Sequence, residues 1–141
     1  MIEEEGMNKI LIVDEEAAIR MLYQEELTEE GYDVDTTDGY NDLLELIAEK
    51  KPDLVVFDVE KISSGGLGIL EEIRNCFKDI PIILCTAYDS LRYDTKIDTA
   101  NHFMVKSSDL RRLKRMVRLE LDKLSLFDLS ISTMQEAAKH R

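Results

Sequence analysis

From Asn8 onward the chain alternates between two patterns of apolar positions. KILIV (9–13), DLVVF (53–57), PIILC (81–85) and HFMV (102–105) are short continuous runs. That is the pattern of parallel strands covered by helices on both faces. YDVDTT (32–37) alternates more and reads as an edge strand. Between the runs, apolar residues recur at three- and four-residue intervals, as along one face of a helix. Ile19, Leu22, Tyr23 and Leu27 make one face, with Gly31 as the C-terminal stop. Tyr40, Leu43, Leu44 and Ile47 make a second, ended before Pro52, and Leu67, Leu70, Ile73 and Phe77 a third. Leu110, Leu113, Val117 and Leu121 make the last, which Ser107-Ser108-Asp109 can cap. YDSLRYDTKIDTA (88–100) has few apolar positions and predicts only a short or poorly formed helix. In the tail, Thr133 and Glu136 have capping-box spacing, which predicts one more short helix.

Five strands alternating with five helices imply an α/β three-layer sandwich with a parallel sheet and right-handed crossovers. At 141 residues one buried core is expected. The expected division is an N-terminal extension at 1–6, one domain at 7–123, and a tail at 124–141 without a separate output domain.

Composition narrows the function. With 30 acidic against 18 basic residues the formal charge is −12, which argues against nonspecific nucleic-acid binding. The basic block RRLKRMVR (111–118) reads as a solvated helix face. No stretch approaches the run of about 20 apolar residues that a membrane helix needs, and MIEEEGMNK is acidic where a signal peptide is basic, so a soluble intracellular protein is expected. Cys76 and Cys85 lack C-x-x-C spacing and fall in apolar segments, and both read as reduced core thiols.

In an open α/β sheet, ligands sit beyond the carboxyl ends of the strands. The first strand ends in Asp14-Glu15, the third in Asp58, the fourth in Thr86 and the fifth in Lys106. Singly these are ordinary: Asp14 can cap a helix and Thr86 suits a strand. Lys106 is less so, because a cation just before a helix N-terminus opposes the helix dipole. Together, three carboxylates at one edge repel one another unless a cation joins them. Magnesium suits such a place, and a carboxylate beside it can attack phosphorus to give an aspartyl phosphate. Thr86 and Lys106 would then bind phosphoryl oxygens.

With KILIVDEE, DLVVFD, GGLGILEEIR, PIILCTA and HFMVK in order, roughly residues 7 to 121 resemble the receiver domain of two-component response regulators. The resemblance implies a flavodoxin-like, doubly wound (βα)5 fold with sheet order 2-1-3-4-5. It implies that Asp58 is the phosphoacceptor, and that Asp14, Glu15, Asp58 and the backbone carbonyl of Glu60 hold Mg2+. Thr86 matches the switch hydroxyl, Lys106 the family's lysine, and Phe103 a switch aromatic that turns inward when Thr86 moves. The implied partners are a histidine kinase or phosphotransfer protein as donor and a downstream protein reading the fourth helix, fifth strand and fifth helix. No direct nucleic-acid or membrane contact is implied, a homodimer stays open, and the expected location is cytoplasmic. Transfer to and loss from Asp58 would be self-catalysed, without turnover as an enzyme.

Four features depart from the family pattern. Glu15 is a methylene longer than the usual aspartate, and VEKISSGG after Asp58 keeps only Gly66 of the usual Met-Pro and Asp-Gly set. Glu60 adds a negative side chain, and Ser107 replaces the usual proline, so a trans bond is expected there. These departures motivate a second reading, a degenerate receiver acting as a phosphorylation-independent binding module. A flavodoxin is set aside because DEEAAIR supplies acids where a phosphate loop is needed. A phosphatase with an aspartate nucleophile would carry D-x-D on the first strand.

Overall fold

The unbroken apolar runs form the interior of the sheet. β1 (Lys9–Val13), β3 (Leu54–Phe57), β4 (Ile82–Thr86) and β5 (His102–Val105) join β2 (Asp33–Thr37) in one parallel sheet of order β2-β1-β3-β4-β5. The computed structural model describes residues 7–59, 66–87 and 95–139. All of β3 and β4, and all of β1 after Lys9, is buried. β2 buries only Val34, as an edge strand should.

Because side chains alternate along a strand, each strand feeds two cores. Ile10, Ile12, Leu54, Val56, Ile83 and Cys85 pack with Tyr23 and Leu27 of α1 (Ala17–Glu29) and with Leu113 and Val117 of α4 (Arg111–Lys139). Leu11, Val13, Val55, Phe57, Ile82 and Leu84 pack with Leu43 and Ile47 of α2 (Leu43–Lys50) and with Leu70 and Ile73 of α3 (Gly66–Cys76). The layers are therefore α1 and α4 on one face, α2 and α3 on the other. The winding reverses between β1 and β3, and a crevice opens there at the carboxyl ends.

The helix boundaries follow local chemistry. Gly31, at φ +100°, lets its N–H reach the Thr28 carbonyl at 3.0 Å while Tyr32 N–H reaches Leu27 at 3.3 Å, a paired C-terminal cap on α1. Asp109 Oδ1 accepts the Arg111 N–H at 3.0 Å and caps the start of α4, as the Ser-Ser-Asp run predicts. In the basic block Arg111, Arg112, Arg115 and Arg118 are exposed, while Lys114 Nζ reaches Glu26 of α1 at 2.7 Å.

Three expectations need correction. Leu22 is 39% exposed, because α1 packs through Ile19, Tyr23 and Leu27, and Leu22 lies about 100° round the helix from Tyr23. Cys76 is exposed on the outer side of α3, so only Cys85 is a core thiol, its pKa raised by burial. The tail holds no separate short helix: α4 continues unbroken for 29 residues, since no Gly or Pro interrupts 111–139 and the Thr133 capping pattern falls inside it. Of 88–100, the described part is a 3₁₀ turn at Thr95–Thr99, as short as its sequence predicts; residues 88–94 lie outside the described residues.

One polar contact fastens α4 to the sheet. Glu120, buried on α4, accepts from His102 Nε2 of β5 at 2.7 Å and from Lys123 Nζ at 3.0 Å. Burial favours its neutral form, but the bonds from Lys123 and His102 prevail and hold its pKa below the usual glutamate range. An ionised carboxylate only accepts, so the histidine nitrogen is the donor. A depressed carboxylate pKa contributes stability that is present above the unfolded value and lost as pH falls through the folded one. Glu120→Gln should therefore cost about 1–2 kcal/mol at neutral pH and progressively less under acid. Urea titrations of both proteins across the acid range check this; a pH-independent difference would contradict it.

Candidate functional site

Three strands each extend their ladder by one hydrogen bond past the last strand residue, and each extension delivers a charged side chain. Asp14 N–H donates to Thr37 at 3.1 Å, Asp58 N–H to Val13 at 2.9 Å, and Lys106 N–H to Thr86 at 2.6 Å. Backbones held in this way aim their side chains precisely enough for chemistry. Asp14 and Asp58 are each only 3% exposed.

Lys106 joins them. From the end of β5, Lys106 extends across β4 to meet side chains that reach out from the ends of β3 and β1. Its Nζ lies 2.8 Å from Asp14 Oδ2, 3.0 Å from Asp58 Oδ1 and 3.6 Å from Glu16 Oε1. Burial alone would lower the lysine's pKa, but hydrogen bonds and charge from Asp14 and Asp58 prevail and hold it above the ordinary lysine range. The ammonium is thus charged, and the paired carboxylates still leave negative charge in excess.

The neighbours set the surrounding backbone. Thr86, fully buried, donates from Oγ1 to the Val59 carbonyl at 2.7 Å. Asp14 Oδ1 accepts the Glu16 N–H at 2.9 Å, and Arg20 Nη1 donates to the carbonyls of Asp14 and Glu15 at 2.8 and 2.9 Å. Tyr40 donates from its hydroxyl to the Asp58 carbonyl at 2.8 Å. A cleft of ≈ 170 Å³ opens here, lined by Asp14, Glu15, Asp38, Gly39, Tyr40 and Asp58. A larger hollow of ≈ 460 Å³ floored by Ile47, Phe77 and Ile80 lies at the amino ends of the strands, away from these groups.

Asp14, Asp58 and Lys106 thus converge as the sequence leads one to expect. Glu15 is exposed at the rim of the cleft, and Phe103 is partly buried among the residues packed with α2 and α3. Glu60 and the rest of 60–65 lie outside the described residues. No cis peptide bond occurs among the described residues, Lys106-Ser107 included. Arg20 and Tyr40 were not singled out from sequence as site residues. A basic residue one turn into a helix that follows two acids is a usable signal for Arg20; Tyr40 had none, because its spacing also fits a helix face.

The donors are hard oxygens. Among the described residues no three acidic, histidine or cysteine side chains form a ready metal cage. Magnesium needs none, since it binds through one or two carboxylates and completes its shell with water and phosphate oxygens. A buried carboxylate pair with a third acid at the rim fits that mode.

Residues 10–118 match the family model of the response regulator receiver domain. The probable transcriptional regulator ycf27 of Guillardia theta is 34% identical over 122 residues, 85% of this chain and 48% of its own. The response regulator MprA of Mycolicibacterium vanbaalenii is 36% identical over 83 residues, 59% of this chain and 36% of its own. The chain thus spans half or less of these curated relatives. Among solved structures, the response regulator TrrA of Thermotoga maritima, in complex with Mg(2+)-BeF, superimposes with a TM-score of 0.76 at 40% identity, covering 81% of this chain and 99% of TrrA. TrrA in complex with the histidine kinase ThkA gives 0.74 at 41% identity, covering 82% and 99%.

Lys106→Met keeps the stem and removes the charge, leaving Asp14 and Asp58 facing each other. The expected loss is about 3 kcal/mol of unfolding free energy at neutral pH, since two buried carboxylates lose their counter-charge. In the unaltered protein the lysine's contribution should be lost as pH rises through its raised pKa. Denaturant titrations at neutral pH measure the difference, and Asp14→Asn added to Lys106→Met should recover part of the loss; no recovery would mean that the carboxylates are not the cause.

Proposed function

The chain belongs to the response regulator receiver family of two-component signalling, and from that premise we propose that it accepts a phosphoryl group on Asp58 in a Mg2+-dependent reaction and thereby switches a protein-binding surface. The observation that carries the proposal is the buried Asp14–Lys106–Asp58 bridge at the sheet's switch point. A receiver is a signalling module, not an enzyme with turnover on a separate substrate.

In the proposed reaction an Asp58 carboxylate oxygen attacks phosphorus, the bond from phosphorus to the donor's leaving atom breaks, and the leaving group departs with its electron pair. Asp14, Asp58, Glu15 and the carbonyl of Glu60 would hold Mg2+, which when bound neutralises charge on the phosphoryl oxygens. Lys106, already 3.0 Å from Asp58 Oδ1, pairs with one phosphoryl oxygen. Thr86 exchanges the Val59 carbonyl for another, since a charged acceptor forms the stronger hydrogen bond. Its movement makes room for Phe103 and reshapes the surface around β5 and α4 for a downstream protein partner.

The donor is a phosphohistidine on a kinase or phosphotransfer protein, a role supported by the ThkA complex of TrrA. On the rim of the site α1 presents Ala17 and Ala18 exposed, with Met21 at 66% and Leu22 at 39%. This apolar patch is where the donor docks. Residues 7–123 act as the receiver unit, in the cytoplasm; among the described residues no helix is long and apolar enough to cross a membrane.

Incubation with Mg2+ and acetyl phosphate should add one phosphoryl mass to the intact protein, and the gain should vanish in Asp58→Ala or with a chelator. Absence of any gain, even from a cognate kinase, would sink the proposal in favour of a phosphorylation-independent binding module. Met21→Glu with Leu22→Glu should slow transfer from the kinase about tenfold and leave acetyl phosphate labelling unchanged; parallel slowing of both would place the patch in the chemistry instead of in docking.

A further inference from the structure

The loop from β2 to α2 places an aromatic residue against the acceptor strand. In the order β2-β1-β3, a chain leaving β2 must cross the end of β1 to touch β3. Tyr40 makes that crossing. Its ring stacks on Phe57, with centroids 5.4 Å apart and planes at 13°, and its hydroxyl donates to the Asp58 carbonyl at 2.8 Å. The loop is itself braced: Leu43 N–H bonds the Tyr40 carbonyl at 3.2 Å, and Asp42, at φ 57°, turns the chain into α2.

Two hydroxyls therefore hold consecutive carbonyls at the tip of β3, Tyr40 on Asp58 and Thr86 on Val59. They differ in what phosphorylation asks of them. Thr86 leaves its carbonyl for the phosphoryl group, whereas Tyr40 approaches from the side of β1 and has no part in that exchange. We propose that Tyr40 is a positioning residue for phosphoryl acceptance: its hydroxyl fixes the peptide after Asp58, aiming the acceptor carboxylate while Thr86 moves, and its ring walls the cleft that the donor enters. The inference rests on the reading of Asp58 as the acceptor. A carboxylate whose backbone can rock samples the in-line geometry less often, so the effect falls on the rate of transfer.

The test compares Tyr40→Phe, which keeps the stacked ring and removes the hydroxyl, with Tyr40→Ala, which removes both. With Mg2+ and acetyl phosphate, Tyr40→Phe should be labelled about five- to tenfold more slowly than the unaltered protein. Its affinity for Mg2+ and beryllofluoride, followed by the bound 19F resonance, should weaken by a similar factor, while circular dichroism confirms the fold. Tyr40→Phe matching the unaltered protein, with only Tyr40→Ala impaired, would reduce Tyr40 to a packing residue and leave the Asp58 reading standing. No labelling of the unaltered protein by acetyl phosphate or kinase would overturn both.

Discussion

A lysine ammonium held between two buried carboxylates is the constraint on which the rest of this molecule turns. Removing such groups from water costs several kcal/mol each, and a buried ion pair returns that cost only with good geometry and further hydrogen bonds. Here Lys106 lies 2.8 and 3.0 Å from Asp14 and Asp58, and all three backbones are fixed by ladder bonds. Even so, the acids outnumber the base. A well-packed apolar cluster would serve stability as well or better, so the charges are explained by what they can bind. In the proposed reaction a divalent cation would meet the surplus of negative charge, and the ammonium would pair with a phosphoryl oxygen in place of a carboxylate.

The sheet order makes this meeting possible. β1 and β3 are neighbours although a helix, an edge strand and a second helix separate them in sequence. Their carboxyl ends therefore open together between α1 on one face and α2 on the other. Period-two alternation then sorts the side chains before the strands end, sending Val13, Phe57 and Leu84 into one core and Ile12, Val56 and Ile83 into the other. The residues just past those core pairs lead out of the core toward the cleft, and Asp14, Asp58 and Lys106 occupy such places.

This logic explains why the fold and the central charges were legible in the sequence while other features were not. Unbroken apolar runs identify interior parallel strands, and the rule that ligands gather at their carboxyl ends picks out Asp14, Asp58, Thr86 and Lys106 without reference to distances. Helix faces are less determinate. Met21, Leu22 and Tyr23 are all apolar in character, and which of them turns inward depends on how α1 rotates against β1, a tertiary property. Cys76 went outward for the same reason. The tail was misread because a capping box marks a helix start only if something has ended the preceding helix, and nothing between Arg111 and Lys139 does. Tyr40 was hidden more deeply, since its partner is a backbone carbonyl, which leaves no trace in residue identity.

β5 shows how a local change at the site can be read elsewhere. Along this strand His102 and Phe103 point to opposite faces. His102 is bonded to Glu120 of α4, and Met104, on the same face, packs into the core shared by α1 and α4. Phe103 belongs instead to the residues packed with α2 and α3. The face that anchors α4 is thus separate from the face carrying the proposed switch aromatic. Were both on one side, turning Phe103 would compete with the packing that holds α4 to the sheet, and switching would cost stability. With the two on opposite faces, the proposed turn of Phe103 would leave the His102–Glu120 bond holding β5 and α4 together. In the proposed switch, the movement of one side chain would then be registered against a fixed frame, which is what a partner would recognise.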